Sequence, residues 1–180
     1  MPDRASIQSP LFMVVLVAAA ILFSFALACG MPFAALGALA ALTLAARDAL
    51  VLAVLGWLAN QAIGFGFLGY PLAAMTLTWG VALGFSALAA VVGALFVLRQ
   101  MPRGTLPSQL GLAFVAAWAA QQGTVFLASL VLGGTAGAFA ASVVWFIFWT
   151  NALAFLVLLS LQIVGARIGV ARSLSGQPAV

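Results

Sequence analysis

The chain consists of long apolar runs separated by short breaks rich in glycine, proline or charge. Runs of about 20 apolar residues match the ~30 Å hydrocarbon core of a bilayer. Backbone in lipid must satisfy its own hydrogen bonds, so such runs predict helices. The pattern predicts an all-α, polytopic membrane bundle of six transmembrane helices in a single domain. The runs cover residues 11–28, 33–46, 49–68, 72–98, 109–132 and 138–166, with short tails at 1–10 and 168–180.

The few charged residues orient this bundle. The 180 residues are 67% hydrophobic and 4% charged, whereas a soluble domain has about 25% charged residues. With six spans, every arginine falls on one side of the bilayer, which the positive-inside rule makes the cytoplasm. We expect cytoplasmic termini, location in a bacterial inner (plasma) membrane, and no nucleic-acid partner, since the arginines form no basic patch. They are Arg4, Arg47, Arg99, Arg103, Arg167 and Arg172.

The composition excludes most catalytic and metal chemistry. The chain has no histidine, lysine or glutamate, and its acidic residues are Asp3 and Asp48. A zinc or iron site needs three or four convergent His, Cys or carboxylate ligands, and acid–base catalysis needs a positioned base. We therefore expect no metal, no cofactor and no enzymatic activity. Cys29 is expected to be a small buried side chain rather than a soft-metal ligand.

The first run also resembles a signal peptide. Arg4 precedes it, and the small residues Ala26 and Ala28 stand before Cys29 as at a cleavage site. The run is longer than a usual signal core, and its removal would break the charge alternation. We therefore expect it to be retained as a membrane span.

The polar residues within the runs are amides, hydroxyls and indoles, and none is ionisable. Proton- and ion-coupled transporters normally need an ionisable group in the membrane, so we expect neither activity. In the third run, Trp57, Asn60 and Gln61 recur at i, i+3 and i+4 and share a helical face. Such groups predict an outer-half pocket for a neutral organic ligand. The candidates are Trp57, Asn60, Gln61, Tyr70, Trp79, Trp118, Gln121, Gln122, Trp145, Trp149 and Asn151.

Each of these residues also has a structural interpretation. Tryptophan and tyrosine line membrane interfaces, while asparagine and glutamine bridge neighbouring helices. The adjacent pairs Asn60-Gln61 and Gln121-Gln122 favour the pocket, because four amides are more than helix contacts usually need.

Small residues mark a second surface. Their spacing lets helix backbones approach closely. Packing within the chain is the favoured interpretation, and docking on another protein is the alternative. The small residues are Ala34, Gly37, Ala38, Ala41 and Ala45 in the second run and Gly80 and Gly84 in the fourth.

Two stretches of the chain match the pattern of a known family. A Pro/Leu-rich helix from Pro32, a turn at Arg47-Asp48 and an Ala-rich helix to Gly64 follow one another, and a last helix covers 151–167. With six short-looped spans, this organisation resembles the S components of energy-coupling-factor transporters. These small membrane proteins capture vitamins and other micronutrients from outside.

The resemblance implies an outward-facing site on helices four to six and the outer loops. It also implies that the Ala-rich face of helices one to three docks on a transmembrane coupling subunit driven by two ATPases. Because charged residues are missing from the spans, the substrate would be largely neutral or zwitterionic.

Two functions from different classes follow. The first is a substrate-binding membrane subunit for uptake of a micronutrient such as a vitamin. The second is a structural or assembly subunit of a larger membrane complex, in which aromatic and amide groups contact neighbouring proteins, pigments or lipids. A passive channel for neutral solutes has no repeated half-helix to support it.

Overall fold

The structure, a computed structural model, describes residues 14–19, 21–22, 31–133, 137, 139–169, 171 and 174. Helical residues at 14–19 and 21–22 are labelled α1, and five helices with defined ends follow. The described residues contain no strand. The five helices are α2 Phe33–Thr43, α3 Ala46–Gly66, α4 Ala74–Gln100, α5 Leu106–Leu132 and α6 Ala141–Arg167.

Helices α3 to α6 are long and apolar enough to cross a membrane, with 21 to 27 residues each. Their ends agree with the predicted spans to within three residues. The chain is thus an all-helical integral membrane protein over the described residues. Arg4, Cys29, Arg172 and the signal-like residues 26–28 lie outside the described residues.

Glycine and proline end the long helices where the sequence places them. Gly133 follows α5 with a φ of 69°, a left-handed conformation that glycine adopts without strain. Helix α4 stops at Gln100, two residues before Pro102, because the residue before a proline disfavours helical geometry. The α5 helix then begins after Thr105 with a proline in its first turn, where no backbone N–H is needed.

Helix α2 differs from its prediction. The sequence predicted a span at 33–46, but the helix has 11 residues and ends at Thr43. At 1.5 Å per residue it is about 16 Å long, roughly half of the ~30 Å hydrocarbon core. Every one of its residues is buried. The second helix is therefore a short core element rather than a full span.

The other helices enclose α2, which packs against α3, α4, α5 and α6. A Cβ added at Gly37 would lie 3.1 Å from the Cβ of Ala90, so the backbones of α2 and α4 are in close contact there. The alanines Ala34, Ala38 and Ala41 are all buried. Packing within the chain is thus confirmed for these three alanines and Gly37, whereas Ala45, beyond the end of α2, is exposed. The chain's own helices cover the α2 part of the Ala-rich face, on which the resemblance implies that a partner docks.

Side-chain pairs give the direction of neighbouring helices. Trp57 and Gln61 of α3 meet Gly84 and Gly80 of α4, respectively, so these two helices are antiparallel. Helices α4 and α5 form the most extensive contact, whereas the backbones of α5 and α6 lie farther apart and are bridged by aromatic side chains. The ring of Phe126 in α5 meets Phe139, just before α6.

This antiparallel order collects the described arginines at one end of the bundle. Arg47 lies in the first turn of α3, Arg99 in the last turn of α4, Arg103 in the next loop, and Arg167 at the end of α6. Helix α2 ends near this end, since two residues separate it from α3. Its N-terminus therefore lies near mid-depth in the bundle.

Candidate functional site

One tryptophan and one glutamine side chain of α3 form hydrogen bonds to α4. The indole N–H of Trp57 donates to the Gly80 carbonyl at 2.8 Å, and Nε2 of Gln61 donates to the same oxygen at 3.3 Å. Glycine at positions 80 and 84 of α4 leaves space for these two side chains. An added Cβ at Gly80 would lie 2.9 Å from Gln61, and one at Gly84 would lie 2.9 Å from Trp57. We call these four residues the α3–α4 contact. It is a helix-packing contact.

Other predicted residues lie near the same two helices. Tyr70 packs on Gly64, where an added Cβ would lie 2.8 Å from its ring, and meets the edge of Phe65 with centroids 6.2 Å apart. Asn60 and Trp79 are half-buried on α3 and α4. Tyr70 thereby packs the α3–α4 connection against the end of α3.

A second group of predicted residues lies on α5 and α6, within an aromatic cluster. The rings of Trp118 and Phe148 meet edge to face at 5.3 Å. Phe148 also stacks on Trp145 at 5.7 Å and meets Trp149 at 5.8 Å. Trp145 and Trp149 remain 60% and 55% exposed at the bundle surface. They belong to a lipid-facing aromatic surface more than to an enclosed pocket.

The sequence analysis missed four residues of α5 and α6, namely Phe114, Phe148, Phe155 and Gln162. Phe114 contacts Phe148 and Phe155, with centroids 5.7 Å and 5.2 Å apart. Its spacing of four residues from Trp118 was a usable signal, because residues at i and i+4 share a helical face. Gln162 is fully buried in α6, and a lone amide in an apolar run also could have been noticed.

Three polar atoms of α5 are buried without a hydrogen-bond partner among the described residues. They are Nε1 of Trp118, Oε1 of Gln121 and Nε2 of Gln122. Gln121 is 8% exposed. An unsatisfied buried donor or acceptor costs about 1–3 kcal/mol. We call these side chains the α5 polar group, which contains two donors and one acceptor in little more than one helical turn.

The amide of Asn151 connects α6 to the start of α2. Its Oδ1 accepts from the backbone N–H of Ala35 at 3.4 Å, and its Nδ2 donates to the carbonyl of Ile147 at 3.0 Å. The N–H groups of a first helical turn lack partners within their own helix. The α2 cap residue, Pro32, supplies no side-chain hydrogen bond. Asn151 thus caps α2 from another helix.

The predicted residues therefore form two groups instead of one pocket. Helices α2 and α4 pack against both α3 and α5 and stand between these groups. Gly37 of α2 meets α4 at Ala90, and Gly93 of α4 meets α5 at Ala120. Gln121, the next residue, consequently lies within about two helical turns in depth of the start of α2. The α5 polar group is at mid-depth in the bundle.

Comparison with known proteins gives no match. No protein-family model, curated protein or solved structure matches this chain. The described residues also contain no cluster of three or more histidine, cysteine or acidic side chains that could hold a metal ion. Function must therefore follow from the chemistry of the two groups.

The cap on α2 gives a direct test of this geometry. We expect Asn151→Leu to lower the free energy of unfolding by about 1–2 kcal/mol, because the buried N–H of Ala35 loses its acceptor. The measurement is thermal or denaturant unfolding of the purified protein in detergent. The control is Thr150→Val, which removes a hydroxyl bonded within α6 to Phe146 and should change stability by less than about 0.5 kcal/mol. Equal effects of the two changes would contradict the capping role.

Proposed function

We propose that this protein binds a small, largely neutral molecule within the membrane, as the substrate-binding subunit for uptake of a micronutrient such as a vitamin. The observation that carries the proposal is the α5 polar group. Nε1 of Trp118, Oε1 of Gln121 and Nε2 of Gln122 are buried and have no partner in the described part of the chain. A ligand with an acceptor and a donor would satisfy them.

The energetics favour a binding role over a packing role for these atoms. Elsewhere in the bundle, Trp57, Gln61 and Asn151 hydrogen-bond to backbone atoms. Polar side chains that only bridge helices are expected to find such partners. The α5 polar group departs from this pattern, and an unsatisfied buried group in a native protein calls for an explanation such as a functional role.

The chemistry of the group supports an uncharged ligand. Burying an isolated charge is very costly unless it is paired, and the predicted spans contain no ionisable side chain that could pair with one. The neighbouring rings of Trp118, Phe114 and Phe148 offer an apolar, aromatic wall. A ring-containing molecule with a neutral donor and acceptor matches this environment.

Uptake as the physiological role rests on the family resemblance of the sequence. Capture on one side and release on the other requires energy, which the resemblance assigns to a coupling subunit and two ATPases. Because α2 is enclosed, such a partner would contact the exposed faces of the neighbouring helices.

The assembly-subunit alternative has its own supporting observation. Trp145, Phe146 and Trp149 of α6 are 60%, 66% and 55% exposed and lie on one helical surface. Aromatic residues are enriched in protein interfaces. A neighbouring membrane protein on this surface would bury them.

The experiment that tests the proposal is a binding screen of the purified protein in detergent. Neutral, zwitterionic, anionic and cationic micronutrients of similar size are added, and the unfolding temperature and native mass are recorded. We expect a neutral or zwitterionic compound to bind at one molecule per chain and to raise the unfolding temperature, because a ligand that binds only the folded state stabilises it. Binding of only charged compounds, or of no compound alongside co-purifying large membrane proteins, would overturn it.

A further inference from the structure

An apolar groove lies between α3 and α4, away from the α5 polar group. Its volume is about 160 Å³, similar to a cavity that accepts a benzene molecule. Val81 and Phe85 on its wall are 51% and 63% exposed, so the groove opens toward the lipid. We call it the α3–α4 groove. It is lined by Val54, Trp57, Val81, Gly84, Phe85 and Leu88.

Glycine and tryptophan together form this groove. At Gly84 the absence of a side chain lets the ring of Trp57 lie against the α4 backbone, where an added Cβ would be 2.9 Å from it. The indole N–H already donates to the carbonyl of Gly80. The groove therefore offers hydrocarbon and aromatic surface to its occupant.

On both helices, the face that lines the groove extends along the helix to an arginine. Residues three or four apart lie on one face of a helix, and the groove residues of each helix continue at this spacing toward the arginine end. Most of these side chains are exposed. The stripe on α4 is Val81, Phe85, Leu88, Val92, Phe96 and Arg99, and the stripe on α3 is Arg47, Val51, Val54 and Leu58.

The two distances from the arginines to the groove bracket the thickness of the hydrocarbon of one leaflet. Val54 is seven residues from Arg47, and Leu88 is eleven residues from Arg99, which gives about 10 Å and about 16 Å along the helices. Half of the hydrocarbon core is about 15 Å. A lipid whose phosphate meets the two arginines would therefore place the end of an acyl chain in the groove.

We propose that the α3–α4 groove binds an anionic phospholipid from the leaflet on the arginine side. Arg47 and Arg99 are exposed at the ends of the two helices that form the groove, and they supply charge complementarity to the phosphate. Asp48, half-buried beside Arg47, is the one acidic residue in this part of the structure. Basic sites between transmembrane helices on the cytoplasmic side are typical positions for anionic headgroups. This proposal does not depend on the micronutrient function.

The test compares lipid retention by native mass spectrometry. The protein is exchanged into micelles that contain phosphatidylglycerol or phosphatidylcholine with identical acyl chains. We expect one phosphatidylglycerol per chain to be retained, and the double change Arg47→Gln with Arg99→Gln to reduce its retention about tenfold or more. Val81→Trp, which fills the groove from its open side, should reduce the retention of both lipids.

Matched control variants distinguish binding at this site from a general effect of charge or hydrophobicity on lipid retention. Arg167→Gln removes a charge from the same end of the bundle but from α6, and Val131→Trp adds a ring to an exposed position of α5. Both should leave retention unchanged. The proposal would be overturned if Arg167→Gln reduced phosphatidylglycerol retention as much as the double arginine change does. It would also be overturned if neither the double arginine change nor Val81→Trp reduced retention. Displacement of the lipid by soluble glycerol phosphate would also overturn it, since a free anion site needs no groove.

Discussion

Gly93→Ala is expected to destabilise the protein by about 1–3 kcal/mol, because it forces apart the most extensive helix contact of the bundle. A Cβ at this position would lie 2.8 Å from the Cβ of Ala120 and 2.9 Å from the carbonyl oxygen of Ala116. The second neighbour is backbone and cannot move without displacing α5. Helices α4 and α5 must therefore separate or shift.

Gly123→Ala is the matched control for this prediction. It makes the same chemical change in α5, but an added Cβ meets no atom within 4 Å. Alanine favours a helix over glycine by about 1 kcal/mol, so this change should raise stability. Unfolding of both variants in the same detergent measures the difference. If the two changes had the same sign, α4 and α5 would not be in close contact at Gly93.

Gln121→Leu is expected to reduce ligand affinity at least tenfold while raising the stability of the ligand-free protein by about 1 kcal/mol. Oε1 of Gln121 is buried without a partner among the residues described. Replacing such an atom by an apolar group of similar shape removes a desolvation cost. Opposite effects on binding and on stability are typical of a residue retained for function. The measurements are ligand titration and thermal unfolding of the ligand-free variant.

Gln61→Leu provides the matched control, because it removes a glutamine with a defined structural partner. Its Nε2 donates to Gly80 at 3.3 Å, so we expect a loss of about 0.5–1 kcal/mol in stability and unchanged ligand affinity. A Gln121→Leu variant that is less stable, or that binds the ligand normally, would contradict the assignment of the α5 polar group.

The long helices could be predicted from the sequence because lipid imposes a simple length rule. Runs of at least 20 apolar residues bounded by glycine, proline and arginine predicted the ends of α3 to α6 to within three residues. Helix α2 was less accessible to this reasoning. Its own alanine and leucine residues occupy every face of the helix, so no polar stripe shows which face is buried. Its length was the available signal, since apolar segments of 10–14 residues are more often buried than spanning.

The site could be predicted only in part. The face shared by Trp57 and Gln61 was recognised, and so was the small-residue spacing of Gly80 and Gly84. Their direct pairing depends on how far α3 and α4 are shifted along one another, which no local spacing encodes. Similarly, Gln121 and Asn151 were both candidates, but only the packing shows that Asn151 caps α2 whereas Oε1 of Gln121 has no hydrogen-bond partner in the described structure.

The enclosure of α2 has a consequence for the order in which the chain assembles. The first residues of α2 precede α4, α5 and α6 in synthesis, yet these later helices form most of its surroundings. A helix of about 16 Å is too short to span a bilayer by itself, and only two residues connect it to α3. We therefore expect α2 to enter the membrane as a hairpin with α3 and to reach its native position only after α6 has been inserted. Truncation before α6 should leave α2 open to proteolysis, even though every earlier helix has already been made.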